Sequence, residues 1–258
     1  RPALAAAPAQ PLAGESPTTG VLLPAPSLLG GDATSLELNP AGLGALPSWS
    51  LVLPHAEVPR GARLGGGGDA LFVALPLPLV RSLAFGLGLQ WLRPAAAVGY
   101  ADGAKLDLGL AFSPSPRFSL GLGYHRLING SDATLGGLQS LELGVLFRPR
   151  EWFGAALVVR DLNSPALDGL PLQRRYELEL ALRPLGQGRL ELGAGLAVGE
   201  RRGDLDPRFR LEVEPLAGLR LSGGLELQRR DLFRSGENVL DLRGVVGEGV
   251  REAAPRDA

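Results

Sequence analysis

The sequence predicts an all-β chain: an antiparallel, up-and-down transmembrane β-barrel of about twelve strands (ten to fourteen), preceded by an extended N-terminal arm. Three observations predict it. Apolar and small or polar residues alternate with a period of two over most of the chain after Trp49. The alternating segments run to about 9–12 residues, the length a tilted strand needs to cross a bilayer, whereas strands of soluble proteins average about 5–6. The connections between segments take turns at being short and long, which in a meander gathers all short turns at one end.

Composition narrows the membrane reading to strands. Hydrophobic residues make up 45% of the 258 residues and the mean hydropathy is +0.12. Yet no apolar run reaches the ~18 residues of a transmembrane helix, and the other structure that satisfies every backbone group in lipid is a closed set of strands. The net charge of −1 gives no electrostatic case for nucleic acid. Cysteine is absent, which removes disulfides and thiolate chemistry.

Residues 1–47 form the arm. The opening "RPALAAAPAQ" reads as the tail of a secretory signal, with small residues ending in Ala-Pro-Ala before Gln10, so the chain is expected to be exported. Residues 1–31 are rich in Pro, Ala, Gly and Ser and carry no period. "NPAGLGALP" (39–47) predicts one short helical turn, with Asn39 as its cap and Pro40 at the first helical position.

The barrel is expected over residues 48–249. In "SLAFGLGLQW" (82–91), Leu83, Phe85, Leu87, Leu89 and Trp91 point one way, and Ala84, Gly86, Gly88 and Gln90 the other. The same alternation returns around Leu108, Leu122, Leu143, Leu180, Leu196, Leu211 and Leu221. Leucine has no strong strand propensity, but a helix would scatter these leucines around its circumference. Leu and Phe are therefore assigned to lipid, and Gly, Ala and Ser to the interior. Trp49, Trp91, Phe112, Phe147 and Trp152 fall at strand ends, as interfacial girdle residues do. The small inward residues of the early strands fit two readings. Either they receive the arm, or they let the sheet coil at barrel curvature.

The short turns are "PLVRS" (78–82), "SPSPR" (113–117), "RPRE" (148–151), "PLGQG" (184–188) and "PLAG" (215–218). The long links are 57–69, 93–104, 126–137, 160–173, 199–206 and 229–237. Residues 250–258, "VREAAPRDA" after Gly249, read as a polar tail or linker.

Later strands direct Arg183, Arg189, Glu191, Arg208, Arg210, Glu212, Glu214, Arg220 and Glu226 inward. Rings of charge select permeants in a pore, whereas interleaved charges of both signs pair and fill a narrow one. The mixed signs favour the filled interior.

The segment "DATSLELNPAGLG" (32–44), followed by a barrel-like meander, resembles the N-terminal region of the long-chain fatty acid transporter superfamily of outer-membrane barrels. Asn39, Pro40 and Ala41 match that family's Asn-Pro-Ala element, and Gly42 continues a common form of it. The resemblance implies a Gram-negative outer-membrane location, a lumen plug, assembly by the barrel-assembly machinery and a small hydrophobic permeant. The charged inner face of the later strands and the non-strand C-terminus depart from the family pattern. Residues 16–24 together with the Asn-Pro-Ala segment also resemble barrel regions that precede signal peptide peptidase A-like protease domains. That likeness implies a membrane anchor for a periplasmic domain after Ala258. A soluble β-rich interaction protein is the third reading.

No enzyme activity, cofactor or metal is expected. The two histidines, His55 near a strand end and His125 on the inner face, are not brought together by the pattern. No Gly-x-Ser-x-Gly or His-Glu-x-x-His motif occurs. "GARLGGGGD", "GDLDP" and the "NGS" sequon at 129–131 all read as solvated loops.

Overall fold

The computed structural model describes residues 18–21, 23, 31–57, 67–77, 80, 82–93, 102–128, 135–167, 170–186, 189–200, 205–216, 219–228 and 239–241. The secretory-signal reading of residues 1–10 and the polar tail at 250–258 lie outside them.

Among the described residues, a helical turn α1 (Ser35–Leu38) and a 3-10 helix (Pro40–Ala45) precede fifteen strands. The strands begin with β1 (Ser50–Val52), β2 (His55–Ala56), β3 (Gly68–Pro76), β4 (Leu83–Leu92) and β5 (Gly103–Ser115). They continue with β6 (Phe118–Ile128), β7 (Gln139–Arg150), β8 (Phe153–Arg160), β9 (Ala166–Leu167), β10 (Leu170–Pro171) and β11 (Arg175–Leu182). The last four are β12 (Leu190–Gly199), β13 (Leu205–Leu216), β14 (Leu219–Gln228) and β15 (Val239–Asp241). All but β9 and β10 form one antiparallel sheet in chain order, in which β1 and β2 both pair with β3 and act as one interrupted strand. The expected up-and-down meander is therefore present. Its edge strands β1 and β15 do not pair among the described residues, so the sheet is open at that seam.

Leu87, Leu122, Leu180 and Leu211 lie on four different strands and are each 42–47% exposed. They point away from the interior, and every main-sheet strand from β3 to β14 carries a large apolar residue exposed on that outward face. Leaving such side chains in water forfeits about 1.5–3 kcal/mol each, so an apolar solvent is the setting in which this surface is stable. Trp49, Trp91, Phe112, Phe147 and Trp152 are exposed at strand ends.

The turn end has its own signature. Register shifts fall between Phe112 and Ser115, between Phe147 and Arg150, and between Val213 and Leu216. Each interval holds a proline (Pro114, Pro149, Pro215) that cannot donate to the ladder, so the strand bulges where pairing is about to end.

Two links differ from expectation. Residues 160–173 contain the small hairpin β9–β10, in which Leu167 faces Leu170. The link expected over 199–206 contracts to 200–204, because Leu205 and Asp206 pair with Val198 and Ala197 and extend β13. It is then shorter than the connection 183–189 that precedes it, and the strict alternation of connection lengths breaks there.

Candidate functional site

The site is the contact between the arm and the inner face of the sheet. Asn39 adopts an extended conformation, and its side-chain oxygen accepts the Ala41 N–H at 3.0 Å. Pro40 occupies the first turn of the 3-10 helix, where its missing N–H costs nothing. This is the capped turn that the sequence predicts. Asn39, Pro40, Ala41 and Gly42 are all buried.

Small residues on β4–β7 make room for the arm. A methyl group on Gly121 would strike the Pro40 carbonyl carbon and the Ala41 nitrogen, and one on Gly144 would strike the Asn39 side chain. Leu36 and Leu43 lie over Gly86 and Gly109 in the same way, in a buried cluster with Phe72, Ala74, Ala84 and Ala111. Near the short-turn end, Ser113 Oγ donates to the Gly44 carbonyl at 3.1 Å.

The polar half of the contact centres on Glu37. Its carboxylate accepts the Gly20 N–H at 3.0 Å, Gln90 Nε2 at 2.7 Å and Lys105 Nζ at 2.7 Å to each oxygen. Gln90 also donates to Asp107 at 2.6 Å and accepts the Val21 N–H at 2.6 Å, drawing Gly20 and Val21 into the same cluster. His125 Nδ1 lies 2.6 Å from Asp107 Oδ1, and its Nε2 lies 3.4 Å from Glu142 Oε2. Gln90, Lys105, Asp107 and His125 are fully buried. Arg160 then bonds Glu142 at 2.6 Å and Glu177 at 2.9 Å. It also donates to the carbonyls of Glu37 and Leu38 at 3.1 and 3.0 Å, satisfying acceptors that a short helix end leaves open. The belt therefore crosses the inner face from β4 to β11, with its members near the long-link ends of successive strands, and it holds the arm through Glu37.

Glu37, Asp107 and His125 are the one group among the described residues whose ligand atoms lie close enough to share a cation, within 4.8 Å of one another. Lys105 already supplies that charge: its ammonium sits against Glu37 and 3.5 Å from Asp107. Buried ions of this kind persist only when paired and hydrogen-bonded.

Of the charges singled out from the sequence, Arg183, Glu191, Arg210 and Glu212 form a second cluster with Glu179. Arg210 reaches Glu191 at 2.8 Å, Glu179 at 3.1 Å and Glu212 at 3.4 Å, and Arg183 reaches Glu191 at 3.0 Å. Arg208 pairs with Glu177 at 3.0 Å and so touches the first belt. Glu214 is half-buried and its N–H donates to the Arg189 carbonyl at 2.9 Å. Arg189 is exposed at the turn before β12, so it stands at the rim and not on the inner face, because the strand that would carry it inward starts one residue later. The side chains of Arg220 and Glu226 lie outside the described residues. Sequence reasoning missed Glu37, Gln90, Lys105, Asp107, Glu142, Arg160 and Glu177 as a group. The signal was available for all but Glu37, which lies on α1: Lys105 is the chain's one lysine, and the others share the inward parity of consecutive strands.

No protein-family model and no curated protein matches this chain. Among solved structures it is similar to a Pseudomonas aeruginosa FadL homologue, at 13% identity over 82% of this chain and 79% of that one, with a TM-score of 0.51. That likeness shows the fold. A Rhodopseudomonas blastica porin carrying three substitutions matches 61% of this chain with 12% identity and a TM-score of 0.40. This chain spans about half of that porin chain (49%).

Proposed function

We propose that this chain is an outer-membrane barrel that passes small hydrophobic molecules and that residues 1–47 gate it. The observation that carries the reading is the arm itself, seated on a wall of glycines and pinned by Glu37 to Lys105. A barrel filled only for stability needs no separable segment in its interior. The resemblance of Asn39, Pro40, Ala41 and Gly42 to the transporter superfamily supports the same reading, as does the fold likeness to the FadL homologue. Its partners are then the bilayer, the barrel-assembly machinery and the permeant, and no covalent chemistry is involved.

One observation favours a second reading. The two ion-pair clusters and the arm together occupy much of the described inner face, as suits a barrel that anchors a periplasmic, protease-like domain. Liposome swelling separates the two. Deletion of residues 1–47 should raise uptake of small apolar solutes if the arm is a gate. Equal uptake with and without the arm supports the anchor.

A further inference from the structure

The two ends of the sheet differ in how their charges are handled. At the long-link end most of the described charges are paired: Arg93 contacts Asp69, His55 Nδ1 lies 2.7 Å from Asp69, and Arg174 lies 3.2 Å from Glu200, while Arg126 and Asp102 are exposed with no ionic partner among the described residues. At the short-turn end Arg117, Arg150 and Arg189 are exposed and have no carboxylate partner among the described residues. Arg148, half-buried beside them, donates to the Pro116 carbonyl at 3.3 Å. Among the described residues the acidic groups at this end are Glu151, exposed in the next turn, Glu214, half-buried, and Glu191 and Glu212, buried on the inner face with Arg183 and Arg210.

The turns that carry these arginines are bound edge to edge. The Arg148 N–H donates to the Arg117 carbonyl at 2.7 Å, and the Arg183 N–H donates to the Trp152 carbonyl at 2.8 Å. The guanidinium groups therefore share one rim. Trp49 (71% exposed) and Trp152 (49%) stand on the same rim, directly below the outward apolar belt. A tryptophan with one apolar and one wet edge settles at the level of lipid headgroups, and a guanidinium offers paired donors to phosphate oxygens.

We propose that the short-turn rim binds the phosphates of anionic glycerophospholipids in the leaflet it contacts, through Arg117, Arg150 and Arg189, with Trp49 and Trp152 setting the depth of the headgroups. The inference rests on the membrane-spanning part of the reading above and is independent of passage and gating. Charge complementarity selects the partner. Zwitterionic lipid offers the same phosphate but cancels it with its own ammonium, and arginines left without carboxylates favour a headgroup that carries net negative charge.

The test is native mass spectrometry of the whole chain released from nanodiscs of equal phosphatidylcholine and phosphatidylglycerol. Insertion is checked first by heat-modifiable migration, so that failure of the membrane reading is seen separately from failure of the site. The chain should retain phosphatidylglycerol over phosphatidylcholine, and R117Q/R150Q/R189Q should lose about fivefold in retention for each arginine removed. The variant R93Q/R126Q/R174Q removes the same charge from the long-link end and should retain phosphatidylglycerol unchanged. Equal loss in both variants means a general charge effect and overturns the proposal, as does no loss in the first. A parallel arm with added lipid A covers the other source of lipid phosphate. Retention of lipid A lost in the first variant and kept in the second would make lipid A, and not an anionic glycerophospholipid, the occupant of that rim and overturn it too.

Discussion

Lys105 Nζ lies 2.7 Å from both carboxylate oxygens of Glu37, joining the middle of the arm to β5 in a site from which solvent is excluded. Breaking such a buried pair by removing one partner costs about 3–5 kcal/mol, because the other charge is left uncompensated. K105M and E37Q should each release the arm, and K105M/E37M should recover most of the loss. The chain has no cysteine, so a single L43C reports on the arm alone. Thiol labelling of L43C in liposomes should be at least about a hundredfold faster with K105M than without it. Equal labelling rates would mean that the pair does not hold the arm.

Gly121 lies against the Pro40–Ala41 backbone, where any side chain displaces the arm. G121V should destabilise the arm by about 1–3 kcal/mol, the usual cost of overpacking, while the barrel keeps its heat-modifiable migration. Gel migration together with L43C labelling checks both halves of the expectation.

Arg210 and Arg189 carry the same inward parity in the sequence, yet one is buried among three carboxylates and the other is exposed. R210M should lower the urea midpoint strongly, by the equivalent of about 3–5 kcal/mol, and R189Q should stay within about 0.5 kcal/mol of the parent. Equilibrium unfolding in lipid vesicles, followed by tryptophan fluorescence, separates them.

His55 sits at the long-link rim, outside the apolar belt, and its ionisation lies above the ordinary histidine value of 6.5, chiefly because its side chain hydrogen-bonds Asp69, with Glu57 adding to the effect. A histidine held protonated in this way contributes stability that is fully present below the ordinary value and is lost as the pH rises through the folded-state value. NMR titration of His55 should give a midpoint above 6.5, and D69N should bring it back towards 6.5.

The fold was legible because it rests on a short-range pattern. Period-two alternation assigned Leu87, Leu122, Leu180 and Leu211 to one face, and each is exposed on that face. The capped turn at Asn39–Pro40 was legible because capping is local chemistry, here confined to Asn39 and Ala41, two residues apart. The belt from Gln90 to Glu177 was not, because it depends on which residues of neighbouring strands come level. Asp107 meets His125 only through the β5–β6 register, and Glu37 meets Lys105 only because the arm is seated where Leu36 and Leu43 cover Gly86 and Gly109. The fate of Arg189 turned on where β12 begins, and boundaries are the weakest part of any reading from pattern. The contraction of the 199–206 link has the same origin, since Asp206 joins β13 where it also pairs with Arg175 at 3.0 Å.

The central claim is that the leucine face of this sheet is solvated by lipid. Spin labels placed one at a time at Leu87, Leu122, Leu180 and Leu211 in liposomes test it most directly, through collision with oxygen, which concentrates in the bilayer, and with a water-soluble nickel chelate. All four labels should be open to oxygen and closed to the chelate. Labels that meet the chelate, or that neither reagent reaches, would contradict the account.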